Sequence, residues 1–162
     1  MNPSLPGRTA IRADGGGEIG LGHVMRCSAL AGAFNALGQR PLFITATPEY
    51  LPAGLDAVAD IRCLDGDETG AGLTGYLASA GTALLVGDWQ QVDAALVAAV
   101  RASGILTVLV GGRTDGATPD LLIRQTLVAS ASGPAIPVLD GPEVLLLHPD
   151  YAGLPPREIA PQ

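Results

Sequence analysis

Two histidines and two cysteines are the whole imidazole and thiol complement of this 162-residue chain, and one of each falls in a single stretch. His23 and Cys27 stand four residues apart with Arg26 between them, directly behind "DGGGEIGLG", in which five glycines occupy positions 15 to 22. An imidazole can serve as a general base near neutral pH. In a helix beginning at about residue 22, the 100° step per residue puts His23, Cys27, Leu30 and Phe34 on one face. Leu30 and Phe34 belong against a sheet, so His23 is expected one turn earlier, above the strand edge and pointing into a crevice. The competing reading is a hydrogen-bonded core or capping histidine. Cys27 has no activating partner in the sequence and reads as a small core residue. Arg26 points about 60° away from His23 on the helix wheel. It is placed to meet a phosphate or a loop carboxylate, Asp14 or Glu18, or to stay solvated.

Glycines permit positive φ and let a ligand approach the backbone closely, and a helix N-terminus offers free N–H groups to an anion. The backbone of residues 15–22, with Gly20, Leu21 and Gly22 at its helical end, is therefore a candidate diphosphate or sugar seat; a purely structural turn is the alternative. Glu18 would repel a phosphate beside it, so it faces away or binds sugar hydroxyls. A dinucleotide fingerprint is disfavoured. Gly20-x-Gly22 begins one, but Met25 holds its third glycine position, and "ITATPE" carries no carboxylate where a ribose needs one. A second edge lies at "VGDWQ": Asp88 and Trp89 follow an apolar run and can reach the same crevice. Trp89, the single tryptophan, either stacks on a sugar ring or base or anchors packing. "VGGRTDG" repeats the pattern, with Gly111 and Gly112 lining the crevice and Arg113 facing an anion. His148 reads as structural or exposed.

The elements that must position these residues alternate along the chain. Short apolar strands are predicted over 8–14, 41–46, 61–64, 82–88, 105–110 and 120–125, with a seventh over 143–148. Helices are predicted over 22–37, ended by Gly38; over 48–60, broken near Pro52; over 67–81; and over 90–104. Unbroken apolar strands with helices between them mark a parallel sheet covered on both faces. Right-handed crossovers then give a doubly wound, mostly parallel α/β fold of Rossmann-like type. Ligands in such sheets bind beyond the C-terminal strand ends, where Asp14 and Asp88 fall. The domain is expected to cover 1–150 and an extended, proline-rich tail 151–162.

Composition narrows the chemistry. Apolar residues make up 48% of the chain, which favours a folded core. The net charge is −7, with nine arginines and no lysine. Such a chain is a poor nucleic-acid binder and has no polybasic membrane anchor. Without lysine there is neither a Schiff base nor a Walker lysine. The Cys and His complement makes a structural zinc site improbable unless all four are used, and neither a metal nor a cofactor is expected. Two cysteines make no disulfide framework, pointing to a reducing cytoplasm. No apolar run approaches the ~20 residues of a membrane span.

The stretch "IRADGGGEIGLGHVMRCSALAGAF" resembles the N-terminal half of the UDP-sugar hydrolases of pseudaminic acid biosynthesis and their spore-coat polysaccharide relatives. Their motif R-x-D-x-x-x-x-I-G-x-G-H-x-M-R-C is met by Arg12, Asp14, Ile19, Gly20, Gly22, His23, Met25, Arg26 and Cys27. Weaker echoes follow in "LLVGDWQ", "PDLLIRQT" and "LDGPEVLLLHPDY". The resemblance implies a GT-B-type architecture, in which two Rossmann-like domains close on a nucleotide sugar. It also implies metal-independent hydrolysis of UDP-2,4-diacetamido-2,4,6-trideoxy-β-L-altrose to UDP and the free sugar. The motif histidine activates water, which points to His23 as the catalytic base. Arg12, Asp14, Gly20, Leu21, Gly22, Arg26, Asp88 and Trp89 form the candidate substrate-contacting set.

The chain departs from that pattern in four places. The second domain, which carries most of the uridine site, is missing from it. The strand-four edge reads Gly87-Asp88-Trp89. The acidic pair after strand five is replaced by Gly111-Gly112, and the Ala-Ser after the motif aspartate by Gly15-Gly16. The expected activity is that of a nucleotide-sugar hydrolase or glycosyltransferase-like N-terminal domain. It would be completed by a separate C-terminal-domain protein, a longer parent chain or a second copy. A non-catalytic sugar-binding module and an assembly subunit are the alternatives.

Overall fold

The structure, a computed structural model, describes residues 7–65, 70–111, 114–125 and 136–147. In chain order the strands are β1 (Arg8–Ala13), β2 (Leu42–Thr45), β3 (Asp60–Cys63), β4 (Thr82–Asp88), β5 (Leu106–Val110), β6 (Leu121–Arg124) and β7 (Val138–Asp140). The helices are α1 (Gly22–Ala36), α2 (Leu55–Val58), α3 (Ala71–Ser79) and α4 (Ala94–Ala102). The strands form one all-parallel sheet in the order β3-β2-β1-β4-β5-β6-β7. The expected Rossmann-like doubly wound architecture is thus the observed one. The order reverses between β1 and β4, and a sheet of this kind opens its ligand crevice at that switch point.

The strands read as unbroken apolar runs because both faces of the sheet are covered. Side chains alternate across β1: Ala10 packs with Leu73, Leu77, Leu96 and Val100 of α3 and α4. Ile11, its neighbour, packs with Cys27, Ala31 and Leu55 of α1 and α2. The buried stripe of α1 is Val24, Cys27 and Ala31. Leu30 and Phe34 flank it, partly buried against the same cluster.

Helix ends follow local chemistry. Gly38, at φ +81, lets the chain turn left-handed after α1. Its N–H donates to Asn35 O, and that of Gln39 donates back to Phe34 O, each at 2.9 Å. α4 starts later than the apolar pattern suggests, because Asp93 caps it by accepting from Ala95 N (2.9 Å) and Leu96 N (3.0 Å). The helix expected over 48–60 is a 3-10 turn, Pro48–Tyr50, then α2, with the break at the proline as expected.

The seventh strand is a correction. Residues 143–148 were expected to form it, but the strand is Val138–Asp140, and Pro142–Val144 is a 3-10 turn. Gly141 (φ +123) and Pro142 redirect the chain before the leucine run. The true strand is three residues long and is preceded by Pro137, whose carbonyl accepts from Leu122 N at 3.0 Å. Gly112, Arg113, His148 and the tail 151–162 lie outside the described residues. Among the described residues, no helix is long and apolar enough to cross a membrane.

Candidate functional site

Asp14 directly follows β1, and its Oδ1 accepts from Ala46 N at 2.7 Å and from Thr45 Oγ1 at 3.0 Å. Arg12 Nη1 lies 2.5 Å from Asp14 Oδ2, and the Arg12 side chain is 10% exposed. Burial pushes the Asp14 carboxyl up. The hydrogen bonds from Arg12, Ala46 and Thr45, with the charge of Arg12, outweigh that and hold it below its ordinary 3.8. Asp14 is therefore a fixed negative charge tying the ends of β1 and β2 together. Arg12, expected among the substrate contacts, is its buried countercharge.

The glycine stretch then closes on itself. Gly20 N donates to Gly16 O at 2.7 Å and Gly16 N to Gly20 O at 3.3 Å, while Gly15 N donates to Thr47 Oγ1 at 2.9 Å. Three of the N–H groups offered by the sequence to a diphosphate thus already have partners. Gly20 takes the positive φ, +79, that this closure needs. Glu18 is exposed. Leu21, half exposed, opens α1 by accepting from Met25 N at 2.9 Å. Gly22 follows it, and a Cβ there would lie 3.3 Å from Arg26 Nη1.

His23 and Arg26 project from the first turns of α1 toward β4. His23 Nδ1 lies 2.5 Å from Asp88 Oδ1. Arg26 reaches the same carboxylate with Nε at 3.0 Å from Oδ2 and Nη2 at 3.2 Å from Oδ1. Asp88 itself is 1% exposed. It faces α1 because strand alternation gives it the side of Val86, which packs under that helix. Two groups from a helix and one from a strand 62 and 65 residues away therefore meet across the switch point. The sequence left Arg26 to a phosphate, to a loop carboxylate such as Asp14 or Glu18, or to solvent; its carboxylate partner in the structure is Asp88. The carboxylate read from sequence as a sugar contact is turned onto His23 and Arg26.

This arrangement orients the His23 ring. A carboxylate only accepts hydrogen bonds, so the imidazole donates Nδ1–H to Asp88 and turns Nε2 away from it; Arg26 Nη2 lies 3.3 Å from the same Nδ1. Arg26 supplies the positive charge that lets a carboxylate be buried there. Cys27, fully buried one turn on, is shielded: burial first, and the charge of Asp88 second, push its thiol up. It is a core residue, as its sequence position suggests.

Trp89 turns the other way. Its ring lies over Gly87 and packs against the clusters on the α3 and α4 side. Of its two sequence readings, packing is what the contacts show. Its edge still lines the crevice.

Three open cavities run along the strand ends. One of about 220 Å³ is lined by Asp14, Ile19, Asp88, Trp89, Gln90 and Gln91. A second, of about 310 Å³, has His23, Arg26, Trp89 and Gly111 in its wall. A third, of about 440 Å³, lies beyond Arg26 and Gly111 toward β6. The sequence reading missed Gln90, Gln91 and the third cavity. Position alone could have flagged the two glutamines, since both directly follow a strand that ends at the switch point. Among the described residues, no group of three or more His, Cys, Asp or Glu is placed to hold a metal ion.

The sequence matches no protein-family model and no curated protein significantly.

Proposed function

We propose that this chain is the catalytic N-terminal half of a nucleotide-sugar hydrolase in which His23, held by Asp88, activates water. The observation that carries the reading is the 2.5 Å contact of His23 Nδ1 with the buried Asp88 carboxylate at the β1/β4 switch point. The motif shared with the UDP-sugar hydrolases of pseudaminic acid biosynthesis supports the choice of substrate class. In this mechanism Nε2 takes a proton from water as the water oxygen bonds to the anomeric carbon. The bond from that carbon to the phosphate oxygen breaks, and the diphosphate leaves with its electron pair. Asp88 steadies the imidazolium that forms, as an orienting carboxylate does for a catalytic histidine. The sugar lies against Asp14, Gln90 and the edge of Trp89, where carboxylate and amide groups can pair with its hydroxyls. The nucleotide is held by a C-terminal domain from a longer parent chain, a partner protein or a second copy.

The test is release of UDP from a panel of UDP-sugars, by this chain alone and with a candidate C-terminal-domain protein. Turnover that His23→Ala abolishes supports the reading; turnover that it leaves unchanged removes His23 from the chemistry. A non-catalytic sugar-binding module is the second reading, favoured by the amide pair Gln90 and Gln91 beside Trp89. Calorimetric binding of UDP-sugars with no release of UDP would select it.

A further inference from the structure

The crevice is electrically sorted along its length. The cavity beside the glycine loop carries two carboxylates, Asp14 and Asp88, and among its described lining residues no cation. The cavity beyond β5 is the reverse: Arg26 and Arg124 line it with Gly111, Gln125 and Leu146, and among the described residues no carboxylate does. The two compartments meet at the wall of the His23 cavity, which shares Asp88 with the first and both Arg26 and Gly111 with the second. A single ligand spanning the trough therefore meets negative charge and amides at one end, the imidazole in the middle and two guanidiniums at the other end.

We infer that the cavity between Arg26 and Arg124 is a subsite for a phosphate or diphosphate group, in place of the glycine loop proposed from sequence. Each guanidinium is already anchored. Arg26 is held by Asp88, and Arg124 Nη2 lies 2.7 Å from Asp140 Oδ2. Anchoring sets their positions before an anion arrives, which reduces the ordering cost of binding it. A guanidinium carries five N–H donors; Arg26 gives Nε and Nη2 to Asp88 and keeps Nη1 for an anion. The glycine loop suits it less: its neighbouring cavity is acidic, and Gly15, Gly16 and Gly20 spend their N–H groups within the protein. The volume, about 440 Å³, lies in the range of small-ligand sites. Calling the anion the leaving diphosphate rests on the nucleotide-sugar reading; the anion site itself does not. With the sugar over Asp14 and the diphosphate over Arg124, the scissile bond lies beside His23.

The test is calorimetric titration of the full chain with inorganic pyrophosphate. Binding is expected to weaken as salt rises and to weaken about tenfold or more in Arg124→Gln. Asp140→Asn keeps a side-chain oxygen that can hold Arg124 in place and removes the negative charge that offsets it, so it is expected to tighten binding several-fold, an effect that mere loss of structure would not give. Should Arg124→Gln not fold, Asp140→Asn decides the matter. No binding of pyrophosphate, or affinity indifferent to both variants, overturns the subsite. Pyrophosphate binding through Arg124 without hydrolysis of any UDP-sugar keeps the subsite and overturns the hydrolase reading. His23-dependent hydrolysis with pyrophosphate affinity indifferent to Arg124 and Asp140 does the reverse.

Discussion

The indole of Trp89 lies over the Cα of Gly87, two residues before it, in the space a side chain at Gly87 would fill. Gly87 is central in the sheet, paired with Arg12 on one side and Leu109 on the other. Its missing side chain is what lets the ring fold back onto the α3 and α4 face. Gly87→Ala puts a Cβ into three atoms of the ring. It is expected to displace the indole and cost about 1–3 kcal/mol, the usual range for overpacking. Because Trp89 is the only tryptophan, a change in its fluorescence maximum with a lowered urea midpoint reads the effect directly. An unmoved spectrum contradicts the packing.

The two thiols should separate cleanly. Cys63 is exposed and Cys27 is buried, with its thiol pushed up. The thiolate is the reactive form, so Cys27 is doubly protected. A disulfide reagent is expected to modify one thiol per chain under native conditions and the second only in denaturant. Fast native modification of both would mean that α1 does not lie on the sheet as described.

Acid should loosen the fold in a defined window. Asp120 accepts from Thr107 N at 2.8 Å and from Arg101 Nε at 3.0 Å. Burial raises its carboxyl, but these bonds outweigh that and hold it below 3.8, as happens for Asp14. A lowered folded-state value means the unfolded chain binds protons first as pH falls. The stability these groups add is whole above about pH 5 and is lost as the pH drops through and below 3.8. The urea midpoint is expected to fall as the pH drops from about 5 through and below 3.8. Asp120→Asn should start from a lower midpoint at neutral pH and fall less steeply.

The sheet was legible because its inner strands are apolar on both faces, as in "TALLVGD", whose predicted bounds match β4. β7 was not, since three residues behind a proline carry little pattern and the nearby leucine run carries more. That run lies at the third cavity instead of in the sheet. His23, Asp14 and Asp88 could be brought to one crevice from sequence, because the two aspartates fall at C-terminal strand ends and His23 in the first turn of the helix that follows β1. The direct contact of His23 with Asp88 could not. It depends on β4 lying beside β1 and on Asp88 taking the α1 side, which requires strand order as well as strand identity. The self-closure of the glycine loop was hidden for a related reason: composition reveals freedom of φ, while hydrogen-bond partners come from the fold.

The proposed hydrolysis rests on His23 acting as a base through its contact with Asp88. The direct measurement is the steady-state rate of UDP release from a UDP-sugar turned over by the chain, with its completing domain if one is needed. Wild type, His23→Ala and Asp88→Asn are compared, each first shown to be folded by circular dichroism. Both variants are expected to lower kcat by about 10²–10⁴-fold, the usual worth of a positioned base and its orienting carboxylate, with a smaller change in KM. A His23→Ala variant that turns over like wild type, or no turnover of any UDP-sugar in either setting, contradicts the proposed hydrolysis.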